Sequence, residues 1–184
     1  MRTLIEIIVK PSLSTVPALA LALALALAVG VGACDSGETA DLALPDAETV
    51  EEYYTYPGGL EARVSGNVAE VTITQPADQL RRGGSLWAKV GPYILLFTRE
   101  TYDLFEDHPG LAAVRVVTRR DGGAEVARAL LRRDALTGVQ WRRSLNIAGR
   151  ARSEGGRRLT LLEDLISWGE DHTDYEYNPR FIPR

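Results

Sequence analysis

Two hydrophobic periods alternate along the C-terminal two-thirds of the chain. Residues 60–64 (Leu60, Glu61, Ala62, Arg63, Val64) place an apolar side chain at every second position, which predicts a short strand. Ser65-Gly66-Asn67 supplies turn residues, and the β-branched run 68–74 predicts a second strand and hence a hairpin. Residues 76–84 break the pattern or fray into a helix. From 85 to 107 the period lengthens to three and four: Leu86, Val90, Tyr93, Ile94, Phe97, Thr101, Leu104 and Phe105 share one helical face. Gly91-Pro92 interrupts that face, so the helix kinks or starts there. His108-Pro109-Gly110 ends it. Residues 112–119 predict a strand, Asp121-Gly122-Gly123 a hairpin turn, and 125–131 its partner. Asp134 is the expected N-cap of a helix reaching Ala151, with Leu136, Val139, Trp141 or Gln140, Leu145 and Ala148 turned inward. Glu154-Gly155-Gly156 breaks the chain before a short helix over 159–168. Residues 169–184 are polar and contain proline, as an extended tail would.

The order ββαββαα predicts an α+β domain over 59–168, a small antiparallel sheet of two hairpins with helices on one face. No internal repeat of fixed period is present. Such an order recurs in unrelated small domains and does not identify a function.

The first third follows different rules. Residues 18–29 are an unbroken Ala/Leu-rich run without a polar side chain. A spanning helix needs about 20 apolar residues, so this run is short for a membrane crossing and has the length of a signal-peptide core. Its Ala/Leu alternation is not a strand signal, because both residues favour helix and neither face is polar. Arg2 and Lys10 supply a weakly basic flank, diluted by Glu6; Leu4, Ile5, Ile7, Ile8 and Val9 add a second apolar patch before it.

The run closes on Val31-Gly32-Ala33-Cys34, which resembles the lipobox of bacterial lipoprotein precursors. The resemblance covers only this precursor segment. It implies that residues 1–33 are a signal peptide, that Ala33–Cys34 is the bond cut by signal peptidase II, and that Cys34 carries the lipid that holds the protein to a membrane. Each buried methylene contributes about 0.8 kcal/mol, so two or three acyl chains on one residue anchor durably where one does not. Asp35 directly after the cysteine resembles the inner-membrane retention signal of enterobacterial lipoproteins; which membrane is left open. The alternative is an uncleaved N-terminal anchor with Cys34 unmodified.

Composition sharpens this picture in three places. Cys34 is the only cysteine, so no disulfide forms within the chain. Residues 34–58 hold seven acidic side chains and no basic one, which predicts a flexible acidic tether, at most a helical turn over 46–52, repelled by anionic headgroups. The charge after position 33 is −5, from 19 basic and 24 acidic side chains, which with export argues against nucleic acid as a partner.

Candidate chemistry is sparse. Twelve arginines lie between Val114 and Arg158, and six acids with no base between Glu163 and Glu176. Arg115, Arg119, Arg128, Arg132, Arg142 and Arg143 could form a face for phosphate, anionic lipid or an acidic partner, because guanidinium pairs bidentately with such groups. They could equally be neutralised by the acidic C-terminal segment. The run 170–176 is rich in oxygen ligands but lacks the glycine and spacing of a calcium loop. His108, beside Glu106 and Asp107, is a candidate base or simply a cation at a helix C-terminus. No serine sits in a nucleophile elbow, and neither a catalytic constellation nor a cofactor motif is apparent. Trp87, Trp141 and Trp168 fall on predicted helices; Trp141, followed by Arg142-Arg143, could instead mark an interface. The expected function is a membrane-anchored envelope lipoprotein whose domain binds or scaffolds a partner protein of the envelope. The alternatives are a solute- or ion-binding lipoprotein using the arginines or the acidic tail, and a small envelope hydrolase.

Overall fold

The structure, a computed structural model, describes residues 42–182. Ala33, Cys34 and the signal-peptide reading lie outside the described residues, as does the first part of the expected tether. No helix among the described residues is long and apolar enough to cross a membrane.

The fold is α+β. Five strands, β1 (Leu60–Ser65), β2 (Val68–Gln75), β3 (Ala113–Arg120), β4 (Glu125–Arg132) and β5 (Asp174–Tyr177), form one sheet in the order β1-β2-β3-β4-β5. Among the described residues five α-helices accompany them: α1 (Ala47–Tyr53), α2 (Ala77–Leu96), α3 (Arg99–Asp107), α4 (Gly138–Glu154) and α5 (Thr160–His172). Both expected hairpins form, β1 with β2 and β3 with β4, each antiparallel. They join through a parallel pairing of β2 with β3, so the sheet is mixed rather than antiparallel. The physical reason is the link. A hairpin turn fixes the direction only of its own two strands, whereas a long helical crossover carries the chain back to the starting edge and makes the next strand parallel.

Period-two alternation sends one set of side chains to the helices. Ala62, Val71, Val116 and Ala129 lie in register, as do Val64, Ala69, Val114 and Leu131, and the β2, β3 and β4 members of both rows are fully buried. Helix α2 lies across β2, β3 and β4, and α4 and α5 pack on α2 and on each other. The opposite face carries Arg63, Glu70, Arg115, Leu130 and Asp174 in one row and Glu61, Thr72, Val117, Arg128 and Glu176 in the next.

Several boundaries shift. The domain starts before residue 59. Asp46 caps α1 through its carboxylate on the Thr49 N–H (2.8 Å), and Val50 and Tyr54 are buried in the core, so the latter half of the expected tether belongs to the fold. The expected tail supplies β5, and Ile182 is buried beside Val126 and Ala127. The long helical stretch divides at Gly84, held at φ 55° where a side chain is strained, and again at Thr98, which caps α3. It does not divide at Pro92, which stays inside α2. Asp134 is not a cap. Thr137 caps α4 in a reciprocal box with Gln140, and Val139 is 67% exposed while Trp141, Ser144, Ala148 and Ala151 face the core.

Candidate functional site

The six singled-out arginines do not form one face. Arg115, Arg119, Arg128 and Arg132 come from alternate positions of β3 and β4 and stand on the sheet's open side; Arg142 and Arg143 are on α4. Three of the four sheet arginines already meet carboxylates. Glu70, only 8% exposed in its side chain, lies between Arg63 (2.8 Å) and Arg115 (3.1 Å). Arg128 reaches Glu125 (2.9 Å) and Glu176 of β5 (3.3 Å). Arg132 grips Asp134 through two nitrogens, at 3.0 and 2.9 Å, which holds that carboxyl below its usual range. Pairing β5 beside β4 thus brings acids of the C-terminal segment onto the basic hairpin. Arg119 has no ion pair among the described residues and borders a hollow of about 430 Å³ with Glu61, Thr72 and Thr74. Arg142 is exposed, and the Arg143 guanidinium lies 4.5 Å from the centre of the Trp168 ring.

The remaining candidates are held in structural contacts. His172 stacks on Trp168 (4.0 Å between ring centres), with Nδ1 2.8 Å from the Trp168 carbonyl, and Trp168 donates to Ser144 Oγ at 2.8 Å. Trp141 is a core residue, edge-on to Tyr102 (5.3 Å) and Phe105 (6.3 Å). At the end of α3 the Tyr53 hydroxyl donates to Asp107 (2.8 Å) and lies 3.3 Å from His108 Nε2. Burial, then the Asp107 bond, raises the Tyr53 phenol to about 12. Among the described residues no group of three or more His, Cys, Asp and Glu side chains is placed to hold a metal ion.

A chain of hydroxyls runs from the core to the surface. Tyr93, fully buried, is 2.7 Å from the Tyr177 hydroxyl, which donates to Glu170 (3.0 Å); Lys89 completes the chain at 3.4 Å. Burial is the leading cause that raises the phenols of Tyr54, Tyr56, Tyr93 and Tyr177 above their ordinary value. A phenol whose folded-state pKa is raised contributes stability that is complete below the unfolded value of about 10 and is lost as pH rises above it. The denaturation midpoint is therefore expected to fall steadily above pH ~10, with the phenolate absorbance of these tyrosines appearing only as the fold opens. A full phenolate signal from a protein still folded would contradict this.

Sequence reading missed one further site. Where β2 ends beside α2, a cleft of about 240 Å³ is bordered by Tyr56, Gln75, Gln79, Trp87, Ile94 and Arg152. Gln75 occupies an inward position of β2 in step with Ala69, Val71 and Ile73, and it is 2% exposed. Its Nε2 donates to the Trp87 carbonyl at 3.0 Å, which fixes the amide's orientation. Its Oε1 is buried without a hydrogen-bond partner. Leaving such an acceptor unsatisfied costs about 1–3 kcal/mol. Gly91 seats the amide closely, since a Cβ there would come within 2.6 Å of Nε2. The legible signal was a glutamine closing an otherwise apolar period-two row. No protein-family model, curated protein or solved structure matches the chain.

Proposed function

We propose that the chain is a lipid-anchored protein of the bacterial cell envelope, exported, cut before Cys34, and working through its α+β domain as a binding or scaffolding module for an envelope partner. The observation that carries this reading is Val31-Gly32-Ala33-Cys34 at the end of the apolar run, with the chain's only cysteine in the lipid-bearing place. The fold already includes Pro45, which is buried, and Asp46, which caps α1, a short acidic stretch after that cysteine, so the domain would be displayed off the membrane rather than laid on it. Labelled palmitate fed to cells making the full chain is expected to enter the protein, and Cys34→Ser is expected to abolish both labelling and processing to mature size. Label or processing that survives the substitution would overturn the anchor. Crosslinking of the native chain in its own cells tests the binding module, a specific and saturable envelope partner being the expected result.

A second reading, solute binding, is favoured by the cleft around Gln75 rather than by the arginines. Three of the four sheet arginines are already paired with carboxylates, which leaves less free positive charge there than their number suggests.

A further inference from the structure

Helices α4 and α5 pack side by side and run antiparallel, since Gln140 meets His172 (3.3 Å) and Ser144 meets Trp168 (2.8 Å). Each buries one face and leaves the opposite face to solvent. On α4 the stripe opposite the buried face carries Val139, Arg142, Arg143, Asn146 and Arg150, three arginines and no acid. On α5 it carries Glu163, Asp164, Ser167 and Asp171, three acids and no base. None of these six charged groups has an ion pair among the described residues. The stripes lie on neighbouring helices but both look outward, away from the core, so they do not answer each other within the chain.

A basic stripe beside an acidic one is complementary to itself. A twofold axis parallel to the two helices lays α4 of each copy on α5 of the other, arginine against carboxylate. An axis across them would set α4 on α4 and arginine against arginine. The register agrees with the first arrangement. Steps of four match residue 140 to 172 and 144 to 168, and continuing them sets Asn146 level with Ser167 and Arg150 level with Glu163, to within about one residue. Arg142 falls level with Asp171 in the same way. An axis parallel to the helices preserves height, so these residues meet across the interface. Val139 (67% exposed) and Leu159 (52%), the most exposed large apolar residues among those described, stand at opposite ends of the helix pair and add apolar contact there.

We infer that the outer face of the α4–α5 pair is a self-association surface, closing a twofold dimer in which Arg142, Arg143 and Arg150 of each copy meet Asp171, Asp164 and Glu163 of the other. The face is about 25 Å long and about 20 Å across, on the order of 500 Å² per copy, less than the roughly 800 Å² of a standard interface, so the dimer is weak and salt-sensitive. The net charge of −4 opposes association little, because salt screens it beyond about 10 Å and the pairs meet inside that distance. The inference depends on neither the lipid anchor nor the envelope partner.

Sedimentation of the full chain in detergent tests it. The expected result is a concentration-dependent dimer at about 0.1 M salt that is about tenfold weaker at about 0.5 M. The double variant Arg142→Glu with Arg150→Glu is expected to weaken the dimer by at least about tenfold, because each contact occurs twice across a twofold axis. Glu163→Arg with Asp171→Arg is expected to do the same. Mixed in equal amounts, the two double variants are expected to form a heterodimer about as tight as the parent, since the acidic α4 of one then faces the basic α5 of the other and the unaltered stripes still match. All four positions are exposed and free of ion pairs among the described residues, so melting temperatures are expected to stay within a few degrees of the parent. A monomer at every concentration would leave the stripes to some other partner and overturn the surface. A dimer indifferent to salt and to both swaps would place the contact elsewhere, and swapped chains that do not recover on mixing would refute the α4-on-α5 pairing. The salt dependence of the parent decides the matter even where a variant unfolds.

Discussion

Replacing Gly169 with alanine is expected to destabilise the protein by about 3 kcal/mol and to lower its melting temperature by roughly 6–12 °C. Gly169 is buried on α5 where that helix crosses α2. A Cβ built there would stand 2.4, 2.5 and 2.6 Å from three carbons of the Tyr93 ring. Alanine would otherwise favour the helix by about 1 kcal/mol, so propensity and packing oppose each other and packing wins. The ring has nowhere to go: it is fully buried, roughly parallel to Phe97, and tied through its hydroxyl to Tyr177. Thermal unfolding followed by circular dichroism checks this. Adding Tyr93→Leu should recover part of the loss, because the smaller side chain vacates the contested space. An unchanged or raised melting temperature for the single variant would show that the two helices can part freely there.

Arg133→Ala is expected to cost about 3 kcal/mol, with Arg133→Lys restoring only a fraction. The guanidinium of Arg133 reaches three backbone carbonyls at once: Nε donates to Leu111 at 2.6 Å, and its two terminal nitrogens donate to Phe105 and His108. It thereby bonds carbonyls where α3 ends and clamps the following loop to the end of β4, while its central carbon lies 5.0 Å from the centre of the Phe105 ring. An ammonium has charge but no fork, so it can replace one of these bonds and not the set. Burial holds the guanidinium somewhat below its ordinary pKa, yet it stays protonated at any physiological pH. Denaturant midpoints would measure the loss. Hydrogen exchange should localise it, with faster exchange at Leu111 and His108. A midpoint within about 0.5 kcal/mol of the parent would mean that water serves these carbonyls equally well.

These two residues show what the sequence could and could not disclose. The strands of both hairpins were legible because alternation in residues 60–74 and 112–131 reports burial directly. Arg133 was not. It was one arginine among twelve, and its partners are main-chain oxygens 22, 28 and 25 residues away, which leave no side-chain signature. Strand β5 reads as tail because residues 169–184 are polar and contain proline, and Asp174 and Glu176 are poor strand formers. What holds it is tertiary: backbone pairing with β4, the Glu176 bond to Arg128, and the Tyr177 hydroxyl beside Tyr93. Helix α1 reads as at most a turn in a charged stretch because Ala47 and Val50 are the only apolar residues between Asp46 and Glu52, too few to make a period, although Val50 is wholly buried. The arginine cluster was visible as composition, but the carboxylates that answer it come from β2, from the β4 hairpin and from β5, and only the folded sheet brings them together.

The strand order β1-β2-β3-β4-β5 is also the order in which the chain is made. Each strand therefore docks on the one synthesised just before it, and none has to insert between two that are already paired. A chain emerging from its N-terminus can extend this sheet one edge at a time, as domains do when their first-made parts fold first. At every stage the growing edge is the newest strand, and growth stops at β5, four residues long with two of them acidic, which makes a poor template for another chain.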